Sequence, residues 1–83
     1  MNKVLVQLII PKIGYKYDIF IPLNRRISNV IKLLVKAVKE LTNDEYELEE
    51  IPSLYDRRTG KAYDVNSTVG EAGIKNGMEL ILI

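Results

Sequence analysis

The sequence feature that most constrains the fold is an apolar stripe at helical spacing in residues 27–41. Its members recur at steps of three or four residues, the period of one helix face: Ile27, Val30, Ile31, Leu34, Val38 and Leu41. Three lysines fall between them on the opposite side: Lys32, Lys36 and Lys39. We favour a solvated face for these lysines over a site for an anionic partner. A helix with one apolar stripe must cover another layer, which the rest of the chain has to supply.

Two alternating segments before this helix predict a β-hairpin. Residues 3–10 place one set of apolar side chains on a single side: Val4, Val6, Leu8 and Ile10. Residues 15–21 alternate in the same way, with Ile19 and Ile21 expected on that side. Residues 11–14 supply a proline and a glycine for the turn, and Pro22 ends the second strand.

The last third of the chain contains short apolar segments separated by turn residues. We predict strands at 53–57, 61–63 and 78–83, with one helical turn around 69–72. The helix at 27–41 ends at Thr42, and Asn24 and Ser28 are alternative candidates for its N-cap. The order is therefore β-β-α-β-β-(short helix)-β.

This order predicts an α+β protein with a β-grasp fold, in which one helix lies across one face of a mixed sheet. The first and last strands are expected to be parallel neighbours at the centre of the sheet. With 83 residues, the chain is expected to form a single domain over residues 1–83.

The composition argues against an enzyme, a metal site and a cofactor. The sequence has no His and no Cys, which removes the commonest general base, the thiolate nucleophile and the usual zinc ligands. The acidic run at residues 44–50 lacks the spacing of a calcium-binding loop. We interpret residues 43–52 as a solvated acidic loop.

Charge is segregated along the chain. Residues 1–41 carry a net charge of +6 and residues 42–50 a net charge of −5, while the whole chain is at +1. This asymmetry is too weak to indicate nucleic-acid binding. No secretory signal and no apolar run of membrane-spanning length are apparent, so we expect a cytoplasmic protein without membrane insertion.

Strand alternation predicts an apolar surface on the side of the sheet that faces away from the helix. The candidate partner-binding residues are Leu5, Ile9, Phe20, Tyr55, Arg57, Ile81 and Ile83. Tyr55 is the strongest candidate because tyrosine is enriched among residues that dominate binding energy. Arg57 and Arg58 would form a charged rim. The alternative is that these are ordinary surface apolar residues.

Several local strings resemble ubiquitin. They are the helix opening at 27–30 (ISNV) and the closing segment at 68–80 (TVGEAGIKNGMEL). A narrower resemblance is to the YukD/EsaB family of small ubiquitin-like proteins associated with bacterial type VII secretion. It rests on the length, on the hairpin ending at 19–22 (IFIP), and on the segments 27–31 and 73–80. Met78 stands where that family tends to carry Asp.

The family resemblance implies a cytosolic accessory of a secretion machine, with protein partners among its membrane components and no catalytic residues. Conjugated ubiquitin-like proteins carry a flexible C-terminal Gly-Gly, whereas this sequence closes on residues 81–83 (ILI). We therefore expect a non-conjugated protein. The alternative function is a self-associating β-grasp module unrelated to secretion, for which a homodimer is one form. A carrier or enzyme would require a longer native C-terminus.

Overall fold

The computed structural model describes residues 2–83 and, within them, a helix and a sheet of four strands. The strands are β1 (Lys3–Ile10), β2 (Tyr15–Pro22), β3 (Leu54–Asp56) and β4 (Glu79–Leu82), and the helix is α1 (Ile27–Leu41). The sheet order is β2-β1-β4-β3. β1 is antiparallel to β2 and parallel to β4, and β3 is antiparallel to β4. The predicted β-grasp arrangement, with parallel first and last strands at its centre, is confirmed.

The core lies between α1 and one face of the sheet. Alternate residues of β1 are buried there, because successive side chains of a strand point to opposite faces. The buried helix residues are Ile27, Val30, Ile31, Leu34 and Val38, and β4 adds Leu80 and Leu82. The other side of the sheet carries no helix among the described residues. We call it the open face.

One member of the predicted helical stripe is not in the core. Leu41 is 60% exposed, whereas Thr42 is buried. From Val38 the buried side continues by a four-residue step to Thr42, whose Oγ1 donates to the Val38 carbonyl at 2.8 Å. The prediction that Leu41 packs inward is therefore wrong, because the last step of the stripe is four residues and not three.

Neither predicted residue caps the start of α1. The N-cap is Arg26, which makes no side-chain capping hydrogen bond. Instead, the N–H of Ile27 donates to the carbonyl of Ser67 at 2.8 Å, and that of Ser28 donates to the carbonyl of Val65 at 3.0 Å. These distant backbone carbonyls satisfy donors that a side chain would otherwise take.

The loop at residues 43–52 is only partly the solvated segment that was expected. All five of its carboxylate side chains are exposed, but Tyr46 is 1% exposed and belongs to the core. The buried ring of Tyr46 therefore anchors the acidic loop to the core. The Nζ of Lys12, in the β1–β2 turn, donates to the carbonyl of Glu47 and ties the loop to the hairpin.

The segment between β3 and β4 is less regular than predicted. In place of a strand at 61–63 there is one bridge between Tyr55 and Ala62, flanked by a hydrogen bond from Tyr63 N–H to the Leu54 carbonyl at 2.9 Å. Pairing ends there because the chain turns away at Asp64, whose Oδ1 accepts from Asn66 N–H. The predicted helical turn is a single hydrogen-bonded turn at 69–73.

That turn is closed by two reciprocal hydrogen bonds. Thr68 N–H donates to Glu71 Oε1 at 2.9 Å, and Glu71 N–H donates to Thr68 Oγ1 at 3.1 Å. This is the pattern of a capping box. The hydrogen bonds from Thr68 lower the pKa of the Glu71 carboxyl. Val69 and Ile74 on either side are buried, so the turn holds the crossover to β4 against the core.

Candidate protein-binding surface

Strand register arranges the open face into rows that run across the sheet. Ile9 of β1 is opposite Ile81 of β4, and Ile81 is opposite Tyr55 of β3. These three side chains are half-buried and form an apolar row over three adjacent strands. Lys16 of β2 is opposite Ile9 and closes the row at the other edge. The structure therefore brings together three of the predicted residues.

A second apolar group lies further along the same face. Leu5 of β1 is opposite Phe20 of β2, and the two side chains are 38% and 55% exposed. Cross-strand partners of this kind have Cβ atoms about 5 Å apart, so their side chains touch. This Leu5–Phe20 pair is the most exposed apolar part of β1 and β2 on the open face.

A polar row separates these two apolar groups. Gln7 of β1 is opposite Asp18 of β2 on one side and opposite Glu79 of β4 on the other. Strand alternation is enough to put these residues on the open face, but only the pairing of distant strands aligns them. The predicted apolar surface is thus divided into two parts, and none of the three polar residues was among the candidates.

Arg57 lies beside the polar row and not at a free rim. Its Nε is 3.6 Å from Glu79 Oε2, and both side chains are about half-exposed. Its N–H donates to the Glu79 carbonyl at 3.2 Å. An exposed ion pair of this kind contributes little to stability, so its role would be in orienting the Glu79 carboxylate.

Ile83 extends the open face beyond β4. Its N–H donates to the Ser53 carbonyl at 3.1 Å, and its carbonyl accepts from Ser53 N–H at 2.8 Å. The side chain is exposed and shares the alternation of Ile81. All seven predicted residues are therefore on or beside this face, but they do not form one continuous patch.

A groove beside the open face was not predicted. It is lined by the Tyr63 ring, Met78, Arg58 and Lys75 among others. Burial raises the pKa of Tyr63 to about 12; Asp56 adds to this rise, and Arg58 opposes it. The Tyr63 hydroxyl is buried and has no hydrogen-bond partner among residues 2–83. No sequence signal would have distinguished this tyrosine from an exposed one.

The lysines of α1 belong to the other layer of the molecule. Lys32 and Lys36 are exposed on the side of the helix away from the core, so they cannot contribute to a site on the open face. Within residues 2–83, no three acidic side chains come close enough to hold a metal ion. None of the helices in that part of the chain is long and apolar enough to cross a membrane.

Comparison with known proteins shows the fold but no family. No protein-family model and no curated protein sequence matches this chain. Among solved structures, the ubiquitin-like domain of the Mycobacterium tuberculosis type VII secretion protein EccD1 is similar, with a TM-score of 0.78 and 14% identity over 100% of this chain and 99% of that domain. The fold is ubiquitin-like.

Two further matches bear on what this ubiquitin-like fold does elsewhere. A chain of the MycP5-free ESX-5 inner membrane complex has a TM-score of 0.72 at 16% identity, with 100% of this chain matched to 21% of that one. A chain of the toluene 4-monooxygenase HD complex with 4-bromobenzoate has a TM-score of 0.76 at 15% identity, covering 96% and 95%. The fold therefore occurs in more than one functional setting.

Proposed function

We propose that this protein is a cytoplasmic accessory of a bacterial type VII secretion system, of the YukD/EsaB kind, which acts by binding protein components of that system. The observation that carries the proposal is the similarity to the EccD1 ubiquitin-like domain, which extends over the whole of both chains. The similarity to part of a chain in the ESX-5 inner membrane complex adds support.

The chemistry of the molecule favours binding over catalysis. The sequence has no His and no Cys, and the described carboxylates do not gather into a metal site. The open face, by contrast, exposes apolar side chains next to charged ones, which is the composition of a protein interface. We assign the partner contact to this face, with Tyr55, Ile81 and Ile9 as its apolar row.

The test is capture of secretion components by the tagged full chain from detergent-solubilised cells of its own source. Mass spectrometry should show enrichment of type VII membrane components with the wild type. Tyr55→Glu should remove at least about nine-tenths of that enrichment, because a charge in the apolar row must be desolvated on binding. Tyr15→Glu is the matched control, since Tyr15 is exposed at the edge of the sheet on its helix side.

Thermal unfolding of both variants establishes that each remains folded. If Tyr55→Glu and Tyr15→Glu capture the same components as the wild type, the open face is not the contact. If the wild type captures no type VII component, the secretion assignment fails. Light scattering at two concentrations tests the self-associating alternative, for which the molar mass would rise with concentration.

A further inference from the structure

The open face contains a depression with two kinds of wall. Its lining includes Leu5, Phe20, Gln7, Asp18, Asn76 and Glu79. One wall is the apolar Leu5–Phe20 pair, and the other is the polar row with its two carboxylates. The depression is therefore both apolar and acidic.

The turn before β4 holds one side of this depression in place. The Oδ1 of Asn76 accepts a hydrogen bond from Leu5 N–H at 2.8 Å, and Gly77 N–H donates to the Leu5 carbonyl at 2.9 Å. The N–H and the carbonyl of Leu5 are thus both hydrogen-bonded to the turn at residues 76–77, which precedes β4. The wall is formed without a partner, so binding requires little ordering.

The two carboxylates are not equally available to a cation, because Glu79 already forms an ion pair with Arg57. Asp18 is exposed and makes no ion pair within residues 2–83, although Lys16 shares its strand and its face. Glu79 has Arg57 at 3.6 Å, which is longer than a charge-assisted hydrogen bond. Because Gln7 alone lies between them and neighbouring strands are about 4.8 Å apart, their Cα atoms are about 10 Å apart. One cationic group above Gln7 can reach both.

We infer that this depression binds a Lys or Arg side chain that a partner protein presents next to an apolar residue. The alkyl stem would lie along the Leu5–Phe20 pair, since such side chains cover apolar surface while the charged end stays solvated. The charged end would lie between Asp18 and Glu79, and an Arg would also contact the Phe20 ring. The occupant follows from charge complementarity and not from apolar exposure alone.

The inference rests on the proposed function, since it names the chemistry of the partner that the open face receives. It is tested without any secretion component. The nitrogen-15-labelled full chain is titrated with the blocked tripeptide acetyl-Leu-Arg-Leu-amide, and separately with acetyl-Leu-Glu-Leu-amide. The arginine peptide should shift the backbone amide signals of Leu5, Gln7, Asp18 and Phe20, and the glutamate peptide should not.

Two variants test how much the Asp18 carboxylate contributes to the affinity for the arginine peptide. Asp18→Asn should weaken the arginine peptide by about two- to fivefold, the range for loss of one exposed ion pair. Asp44→Asn is the matched control, because Asp44 is an exposed carboxylate in the loop after α1, and it should leave the affinity unchanged. Sodium chloride at 1 M should reduce the shifts, because at that ionic strength interactions between exposed charges more than about 3 Å apart are largely screened.

Equal shifts with both peptides, shifts confined to Tyr55 and Ile81, an unchanged affinity in Asp18→Asn, or no shifts at all would each overturn the inference. A rise in molar mass of the free chain with concentration would also overturn it, by making a second copy the occupant. A positive titration with no capture of type VII components would leave this site standing and remove the secretion assignment. Capture of type VII components together with a negative titration would contradict only this binding site and leave the secretion assignment standing.

Discussion

At the residue scale, two tyrosine side chains within residues 2–83 have buried hydroxyls without a partner. The hydroxyls of Tyr46 and Tyr63 are buried, and neither has a hydrogen-bond partner among the residues described. A buried polar group without a partner costs about 1–3 kcal/mol. Burial also raises the pKa of both phenols, that of Tyr63 to about 12. Their rings stabilise the fold, whereas their hydroxyls do not.

Tyr63→Phe tests this directly, because it keeps the ring and removes the hydroxyl. The free energy of unfolding in urea at pH 7 should be no lower than in the wild type, and up to about 1 kcal/mol higher. Since the pKa of Tyr63 is higher in the folded state than in the unfolded state, the wild type should lose stability as the pH rises from 10 to about 12. Tyr63→Phe should lose less over that interval. A loss of more than about 1 kcal/mol at pH 7 would show that the hydroxyl is satisfied.

At the scale of the element, α1 shows how tertiary contacts replace local signals. Its N-terminal donors bond to carbonyls of the 65–67 segment, so no side-chain cap is needed. At its C-terminus, Asp44 N–H donates to the Lys39 carbonyl at 2.8 Å and Asn43 N–H donates to the Glu40 carbonyl at 3.4 Å. This pair of bonds is a Schellman motif, which accounts for the positive φ of Asn43; Asp44 also has a positive φ.

Asn43→Gly should stabilise the protein. Asn43 has φ of 51°, a conformation that glycine adopts without steric cost. Relief of that cost should raise the free energy of unfolding by up to about 1 kcal/mol, measured by urea denaturation. Asn24→Gly is the control: Asn24 is not at positive φ, so glycine there only adds freedom to the unfolded chain and should not stabilise. Equal effects of the two changes would contradict the assignment of the motif.

Over the whole molecule, the core extends beyond the sheet and α1 into the acidic loop. Tyr46 joins the same buried cluster as Leu8, Leu34 and Leu80. The loop is therefore part of the folded core on one side and a charged surface on the other. This arrangement couples residues 43–52 to global stability.

Tyr46→Ala should accordingly destabilise the protein strongly. Removing a large buried aromatic ring typically costs about 3–5 kcal/mol, through lost burial and the cavity left behind. The midpoint of urea denaturation should fall in proportion. Tyr15→Ala removes the same side chain from an exposed position and should change the free energy of unfolding by less than about 1 kcal/mol. Similar losses in the two variants would show that the loop is not anchored.

The sequence predicted most of the fold and only part of the candidate surface. Alternation in residues 3–10 and 15–21 correctly assigned Leu5 and Phe20 to the open face, because the side-chain period of a strand is a local property. The same alternation could not show that Gln7, Asp18 and Glu79 lie in one row. That alignment depends on a parallel pairing between strands about 70 residues apart in the chain.

By itself, the sequence determined the helix, the hairpin, the final strand and the absence of His and Cys, because periodicity acts over a few residues and composition needs no structure. It did not determine the elements between β3 and β4, where a single bridge replaces the strand predicted at 61–63. Only the tertiary structure decided that Thr42 packs inward in place of Leu41, that Tyr46 enters the core from a loop of carboxylates, and that a polar row divides the open face. Each of these depends on which distant segment supplies the neighbouring atoms. Burial and hydrogen bonding across such distances are properties of the packed chain, and no local pattern encodes them.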